Sequence, residues 1–371
     1  MRTFRCDHCD SPVYFENPRC VACGHTLAFL PDQFRLAALE RAEDGLWRVA
    51  SSNADASTEA VTPQHQGDAH AYRLCHHYVS TDTCNWAVEA SDTNELCVSC
   101  RLTRQIPDLS LAGRQAALYK MELAKRRLLF NLRELGLPAF EHETINPLHF
   151  SFLESVPEQG CHIMTGHDHG HITINLAEAD DVERVRSRTE MGEPYRTVLG
   201  HFRHEIGHFY WDELVAPHET RLQAYRELFG DEREDYAEAL KRHYEQPDPN
   251  WGERHISSYA SAHPWEGWAE TWAHYMHMRA MIETADDFAD SVRLPGQDPK
   301  AARKARQDAL LLDRWPDFND LILRWMRLGL ALNALNRSMG LDDAYPFTLS
   351  DTVRQKLRFV HDTVRESAIL A

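Results

Sequence analysis

The segment HFRHEIGHFYWDEL, residues 201–214, sets the imidazoles of His204 and His208 one helical turn apart with the carboxylate of Glu205 between them. Side chains at i and i+4 leave the same face of a helix, so both imidazoles can bind one metal ion while Glu205 reaches a water activated by it. That is an arrangement for metal-assisted hydrolysis. The motif is short enough to arise by chance, so its surroundings decide. Val198, Leu199, Phe202, Ile206, Phe209 and Tyr210 mark a helix buried on most sides, with Pro194 suited to its first turn. His201, one turn earlier, is assigned a supporting or core role.

A hydrolytic zinc needs a third protein ligand and an open position. The metzincin continuation is absent, because Trp211 and Leu214 stand where its glycine and third histidine would be. Asp212 is a poor substitute, since a helix covers about 12 Å between His204 and Asp212, too far for one tetrahedral ion. The ligand must come from elsewhere. HPWEGWAETWAHYMHM, residues 263–278, supplies a candidate: Glu266 and Glu270 are four apart on an aromatic-rich helix and approach the same point.

Eight of the nine cysteines lie in the first hundred residues. Cys6 and Cys9 in CDHC precede Cys20 and Cys23 in CVAC, the spacing of a zinc ribbon in which each knuckle gives two thiolates to a tetrahedral site and the intervening residues form a short hairpin. Paired disulfides are the competing reading, disfavoured in a reducing compartment. His8 and His25 adjoin this set, but four thiolates already complete it. Cys75 and Cys84 flank HHYVSTDT and join Cys97 and Cys100 of CVSC in a second four-cysteine site, with His76 or His77 as a substitute ligand and unpaired buried cysteines as the alternative. Between the sets, residues 51–71 are small, polar and aperiodic, which predicts a loop without a core of its own.

The elements that must hold these residues are legible in part. QAALYKMELAKRRLLFNLRELG, residues 115–136, reads as a long amphipathic helix ending at Gly136, with its lysines and arginines on a solvated face. A boundary near residue 110 follows. His171–Asn175 alternates as a strand does, and His167, His169 and His171 would then line one face, as polar lining near a cleft in preference to a metal cluster. Cys161 is read as packing. DLILRWMRLGLALNALN, residues 320–336, is apolar almost all round and predicts a core helix, and VRQKLRFVHDTV predicts a closing one.

The chain has 371 residues, room for more than one domain, and 40 basic against 57 acidic residues give −17, which disfavours adsorption to nucleic acid or an anionic membrane over the whole surface. No stretch approaches a membrane span and the N-terminus lacks the apolar run of a signal peptide, so a cytoplasmic protein is expected.

With these motifs in hand, the chain resembles the gluzincin metallopeptidases, in which a glutamate on a second helix completes the zinc shell and an acidic residue one turn later steadies a histidine ligand. WEGWAE is similar to the E-x-x-A-E helix of the anthrax lethal factor protease domain, where a tyrosine seven residues before the ligand faces the zinc. Tyr259 in ISSYASAHPWE stands at that distance. The order of two cysteine ribbons, TGHDHGHITINLAEADD, the HExxH helix and HPWEGWAETWAHY resembles, over nearly the whole chain, a bacterial family of zinc-binding metallopeptidases with an N-terminal zinc-ribbon region. The resemblance implies Glu266 as the third ligand, Glu270 as the buttress, and Glu205 and Tyr259 as catalytic groups, general base and oxyanion donor.

The expectation is an α+β protein: a zinc ribbon at residues 1–30, a second ribbon-like region at 31–110 with its loop at 51–71, and a mostly helical, gluzincin-like peptidase domain with a small sheet at 111–371. It would hold one catalytic and two structural Zn²⁺ and act on a protein or peptide substrate. The ribbons would recruit that substrate or a protein partner, nucleic acid being disfavoured by charge. The second reading is an inactive zinc-binding scaffold or adaptor whose ribbons bind a protein or nucleic acid.

Overall fold

A computed structural model describes residues 3–51, 70–139, 144–156, 160, 162–182, 184, 197–291, 317–345 and 347–369. The chain divides into two compact units, Met1–Arg126 and Arg127–Ala371. Cys161, Pro194 and most of the 51–71 loop lie outside the described residues.

The N-terminal unit begins with a two-stranded antiparallel ribbon, β1 (Phe4–Arg5) against β2 (Pro12–Val13). This hairpin encloses the first cysteine knuckle, whereas the expectation placed a hairpin between the knuckles. The reason is local closure: Cys6 N–H donates to Ser11 O (2.9 Å) and Asp10 N–H to Cys6 O (2.8 Å), so the knuckle itself is the turn. The second knuckle closes the same way through Cys20 and His25, with Gly24 at φ +80, a backbone state glycine adopts without strain. A five-stranded antiparallel sheet follows in chain order: β3 (Thr26–Leu30), β4 (Arg35–Arg41), β5 (Trp47–Val49), β6 (Tyr72–Leu74) and β7 (Ala87–Glu89). Its core of Ala28, Leu30, Ala37, Leu39, Tyr72 and Ala87 is nearly dry, and Phe15 packs edge to face on both Phe29 and Trp86, which are tilted against each other, where ribbon meets sheet.

The short helices α1 (His76–Ser80) and α2 (Val98–Arg101) carry or follow the second cysteine set, and β8 (Thr103–Gln105) leads to α3 (Arg114–Glu134). The basic residues of α3 overturn one expectation. Lys125 and Arg126 are buried, with Lys125 Nζ 2.9 Å from Glu122 Oε2 and Arg126 donating to Thr83 O at 2.6 Å. A buried cation survives only with such partners, and here Glu122 comes from the preceding turn of the same helix and the Thr83 carbonyl from outside it.

In the C-terminal unit, β9 (His149–Leu153) lies parallel to β11 (His171–Asn175), which pairs antiparallel with β10 (Gly166–Asp168). His167, His169 and His171 therefore do not share a strand face: a tight turn with His169 at φ +43 and Gly170 at φ +85 intervenes. The helices are α4 (Val198–Leu214), α5 (Glu219–Phe229), α6 (Tyr236–Glu245), α7 (Pro264–Ser291), α8 (Phe318–Ser338) and α9 (Asp351–Ile369). Together with the N-terminal ribbon region, they make an α+β protein. α8 is not wholly core. Phe318, Leu321, Ile322 and Trp325 are buried, but Leu323, Leu330 and Leu335 are more than half exposed, because a helix packed on one side leaves its far stripe to solvent whatever its composition.

Candidate metal centres

The pair α4 and α7 forms the centre of the C-terminal unit. Thr197 caps α4 by accepting from Gly200 N–H at 2.9 Å, which fixes where the His204–His208 face begins. Gly207 lets the helices meet: a Cβ there would lie 3.0 Å from Ala269 Cα and 3.2 Å from Trp272 Cβ. Trp268 Nε1–H donates to Gly207 O at 2.7 Å across the same contact. The close approach brings the first turn of α7, with Glu266, against the His204–His208 face.

There His204 Nε2 lies 2.9 Å from Glu266 Oε2, His208 Nε2 3.5 Å from that oxygen, and the two Nε2 atoms 3.2 Å apart. Ligands at 2.0–2.1 Å from a tetrahedral zinc are about 3.3 Å from one another, so this triangle has the size of one zinc face. Glu266 Oε2 is buried and, despite that proximity, has no hydrogen-bond partner among the described residues. A carboxylate oxygen so placed lacks a cation, and the residues present fit one.

The surrounding groups are held in turn. His204 Nδ1 is 2.7 Å from Glu270 Oε1, and Ser257 Oγ donates to Glu270 Oε2 at 2.5 Å. Tyr236 Oη donates to Glu266 Oε1 at 2.7 Å. Burial opposes charge on all three ionisable partners, yet Glu266 and Glu270 outweigh it to raise His204 well above the usual imidazole range, and the histidines pull Glu266 well below the carboxylate range. Glu270 falls to about 2, burial again being overcome by its bond to His204. The centre is thus built for positive charge.

Glu205 is buried beside this triangle, and desolvation raises its pKa. Tyr259, on a short 3-10 turn, has its ring centroid 5.9 Å from that of His204; burial first and Glu266 second keep its phenol protonated. Trp265 covers His208 at 3.9 Å between centroids. His167 stacks over His208 at 6.4 Å, its pKa pushed to about 3 by burial, so it is a neutral neighbour. His201 lies 3.2 Å from Glu178 instead of in the triangle. The sequence reading missed Tyr236 and Ser257. Tyr236 sits thirty residues before its partner, at the start of a short amphipathic helix, and nothing in its local pattern marks it.

Both cysteine sets converge. Cys6 Sγ–Cys23 Sγ and Cys9 Sγ–Cys20 Sγ are each 3.6 Å, and Cys84 Sγ–Cys97 Sγ is 3.7 Å, against about 3.8 Å for the edge of a tetrahedron with 2.3 Å zinc–sulfur bonds. Backbone N–H groups of Trp86, Cys97 and Cys100 point at Cys84, Cys75 and Cys97 sulfurs, as befits thiolates. Buried Arg126 adds a compensating charge: burial works against the guanidinium and Cys84 favours it. His76 and His77 are not in the cluster, which is complete with cysteines.

The chain's sequence matches, over residues 114–363, the family model described as "putative zinc-binding metallo-peptidase", and over residues 3–111 a zinc-ribbon domain. It is similar to uncharacterized proteins of Mycobacterium tuberculosis and Mycobacterium bovis, 39% identical over 377 residues that cover 99% of this chain and 96% of the relatives. No solved structure matches.

Proposed function

The chain belongs to the putative zinc-binding metallo-peptidase family, and from that premise we propose that it hydrolyses peptide bonds at the His204–His208–Glu266 centre. The observation that carries the reading is the convergence of three ligand atoms, at 2.9 to 3.5 Å from one another, beside a buried carboxylate that is not needed as a ligand. Zinc, when bound by His204, His208 and Glu266, supplies a Lewis acid that acidifies water and polarises the scissile carbonyl.

Glu205 takes the proton from the attacking water and later hands it to the leaving amine. Its raised pKa suits a group that must both accept and donate. Tyr259, kept protonated, donates a hydrogen bond to the oxyanion. Glu270, braced by Ser257, orients the His204 ring through Nδ1. Tyr236 holds the outer oxygen of Glu266 so that Oε2 faces the histidines.

In this reading the two four-cysteine sites each hold a structural zinc, so one catalytic ion accompanies two structural ones. Residues 1–30 and 31–110 act as ribbons that recruit the substrate or a protein partner to the peptidase domain at 111–371, and the protein works in the cytoplasm. No helix among the described residues is long and apolar enough to cross a membrane. The test is cleavage of an unbiased peptide library by purified protein, with Glu205→Gln as the control. Cleavage lost in that variant at unchanged zinc content supports the reading. Equal products from both, or none from the wild type, would leave the zinc-binding scaffold in its place.

A further inference from the structure

We propose a further metal site on the N-terminal unit, formed by His8, His25 and Glu40, that takes a transition-metal dication such as Zn²⁺. A ring nitrogen of each histidine and a carboxylate oxygen of Glu40 lie within 4.8 Å of one another. The three come from separate places: His8 from inside the first knuckle, His25 from just after the second, and Glu40 from β4, whose register sets Leu39 opposite Thr26. The imidazole centroids are 4.0 Å apart and the planes tilted by 32°.

The argument turns on which nitrogens are already used. His8 Nδ1 is 2.8 Å from the carbonyl oxygen of Ser51, which can only accept, so Nδ1 carries the proton and the lone pair is on Nε2. His25 Nδ1 is 3.3 Å from Cys23 Sγ. If the first ribbon holds zinc, that sulfur is a thiolate and likewise only accepts, which again leaves the lone pair on Nε2. Yet His25 Nε2 stands 3.0 Å from Glu40 Oε1, another acceptor. With the thiolate accepting at Nδ1, that pair needs a cation shared between its two acceptors.

A proton on His25 would serve and would make the pair a simple ion bridge. A metal ion serves the whole arrangement, because it also uses the second imidazole, which the bridge leaves without a purpose. Histidines that donate through one ring nitrogen to a carbonyl or thiolate and ligate through the other are the usual way a protein fixes imidazole ligands. Two imidazoles and one carboxylate suit Zn²⁺ and its neighbours, and partial exposure leaves room for water to complete the shell. The ion would bind more weakly than those in the thiolate sites, and His25 would couple it to the first ribbon through Cys23. The inference depends on the ribbon reading for the state of Cys23 and on nothing about hydrolysis.

The test is equilibrium dialysis of the full-length protein, first dialysed metal-free outside its tight sites, against Zn²⁺ from nanomolar to millimolar free concentration. We expect one further ion to bind after the tight ones, with affinity about tenfold or more weaker in both His8→Asn and Glu40→Gln. The tight zinc content should not change in either variant, which also reports that the ribbon has folded. Long-range proton–nitrogen spectra should show the Nε2 signals of His8 and His25 moving on Zn²⁺ addition. An unchanged affinity for the further ion in either variant would overturn the three-ligand site, as would Nε2 signals indifferent to Zn²⁺.

Discussion

At the scale of single residues, the centre separates groups by what each should cost. Glu205→Gln keeps the carboxylate's size and removes the base, so turnover should collapse while zinc stays; metal analysis alongside peptidase assay checks both. Glu266→Gln should instead release zinc, because a charged ligand is lost from a site that concentrates positive charge. Tyr259→Phe belongs to neither class. If the phenol meets the oxyanion, kcat should fall roughly a hundred- to a thousand-fold with KM and zinc content little changed, whereas a packing role would leave Phe nearly silent. Tyr236→Phe should weaken zinc about ten- to a hundred-fold by freeing the outer Glu266 oxygen. His204 with His208, and Glu266 with Glu270, were legible as candidates because helical spacing puts each pair on one face, whereas the division into ligand and buttress came from the family resemblance. Tyr236 and Ser257 were not, because their partners are fixed by helix packing that no short pattern encodes.

At the scale of elements, the approach of α4 and α7 is the feature on which the centre depends. Gly207→Ala should push Ala269 and Trp272 away, cost about 1–3 kcal/mol by overpacking, and lower zinc affinity as Glu266 withdraws from the histidines; urea unfolding and zinc competition measure the two effects. The glycine is visible within the HExxH stretch, but its necessity appears only with the neighbour it faces. The same holds for α8, whose apolar composition announces a core helix and whose outer stripe is exposed. Helix packing also predicts an acid response. His274 on α7 and His361 on α9 are buried, and burial depresses each pKa to about 4. Unfolded, each would titrate near 6.5, so the unfolded chain binds the extra protons and stability is complete above that pH and lost as pH falls from 6.5 towards 4. Each should contribute a loss of about 2 kcal/mol between pH 7.5 and pH 5. Denaturation at the two pH values should therefore show a smaller loss in His361→Gln than in the wild type, and an equal loss would show that His361 is not carried neutral.

At the scale of the whole molecule, cysteine spacing pointed to two four-cysteine clusters, and the cysteines do converge in two sets, while spacing could not reveal that the first knuckle is a hairpin tip or that Arg126 is buried beside the second set. Four thiolates close a site, whereas two imidazoles and a carboxylate leave a position open, and these should differ in how fast they surrender zinc. A chelator added to the protein should therefore remove the ion at His204, His208 and Glu266 first, with peptidase activity falling in step. The thiolate-bound ions should follow more slowly, and their loss should bring unfolding of the N-terminal unit, because binding free energy in such sites is folding free energy. Cys84→Ser makes the converse case. It should lower zinc content by one ion and destabilise the N-terminal unit while the open centre, built wholly from the C-terminal unit, still hydrolyses peptides. Zinc leaving all sites together, at one rate and with one loss of structure, would instead mean that the open centre is as closed as the ribbons, and would count against its role in hydrolysis.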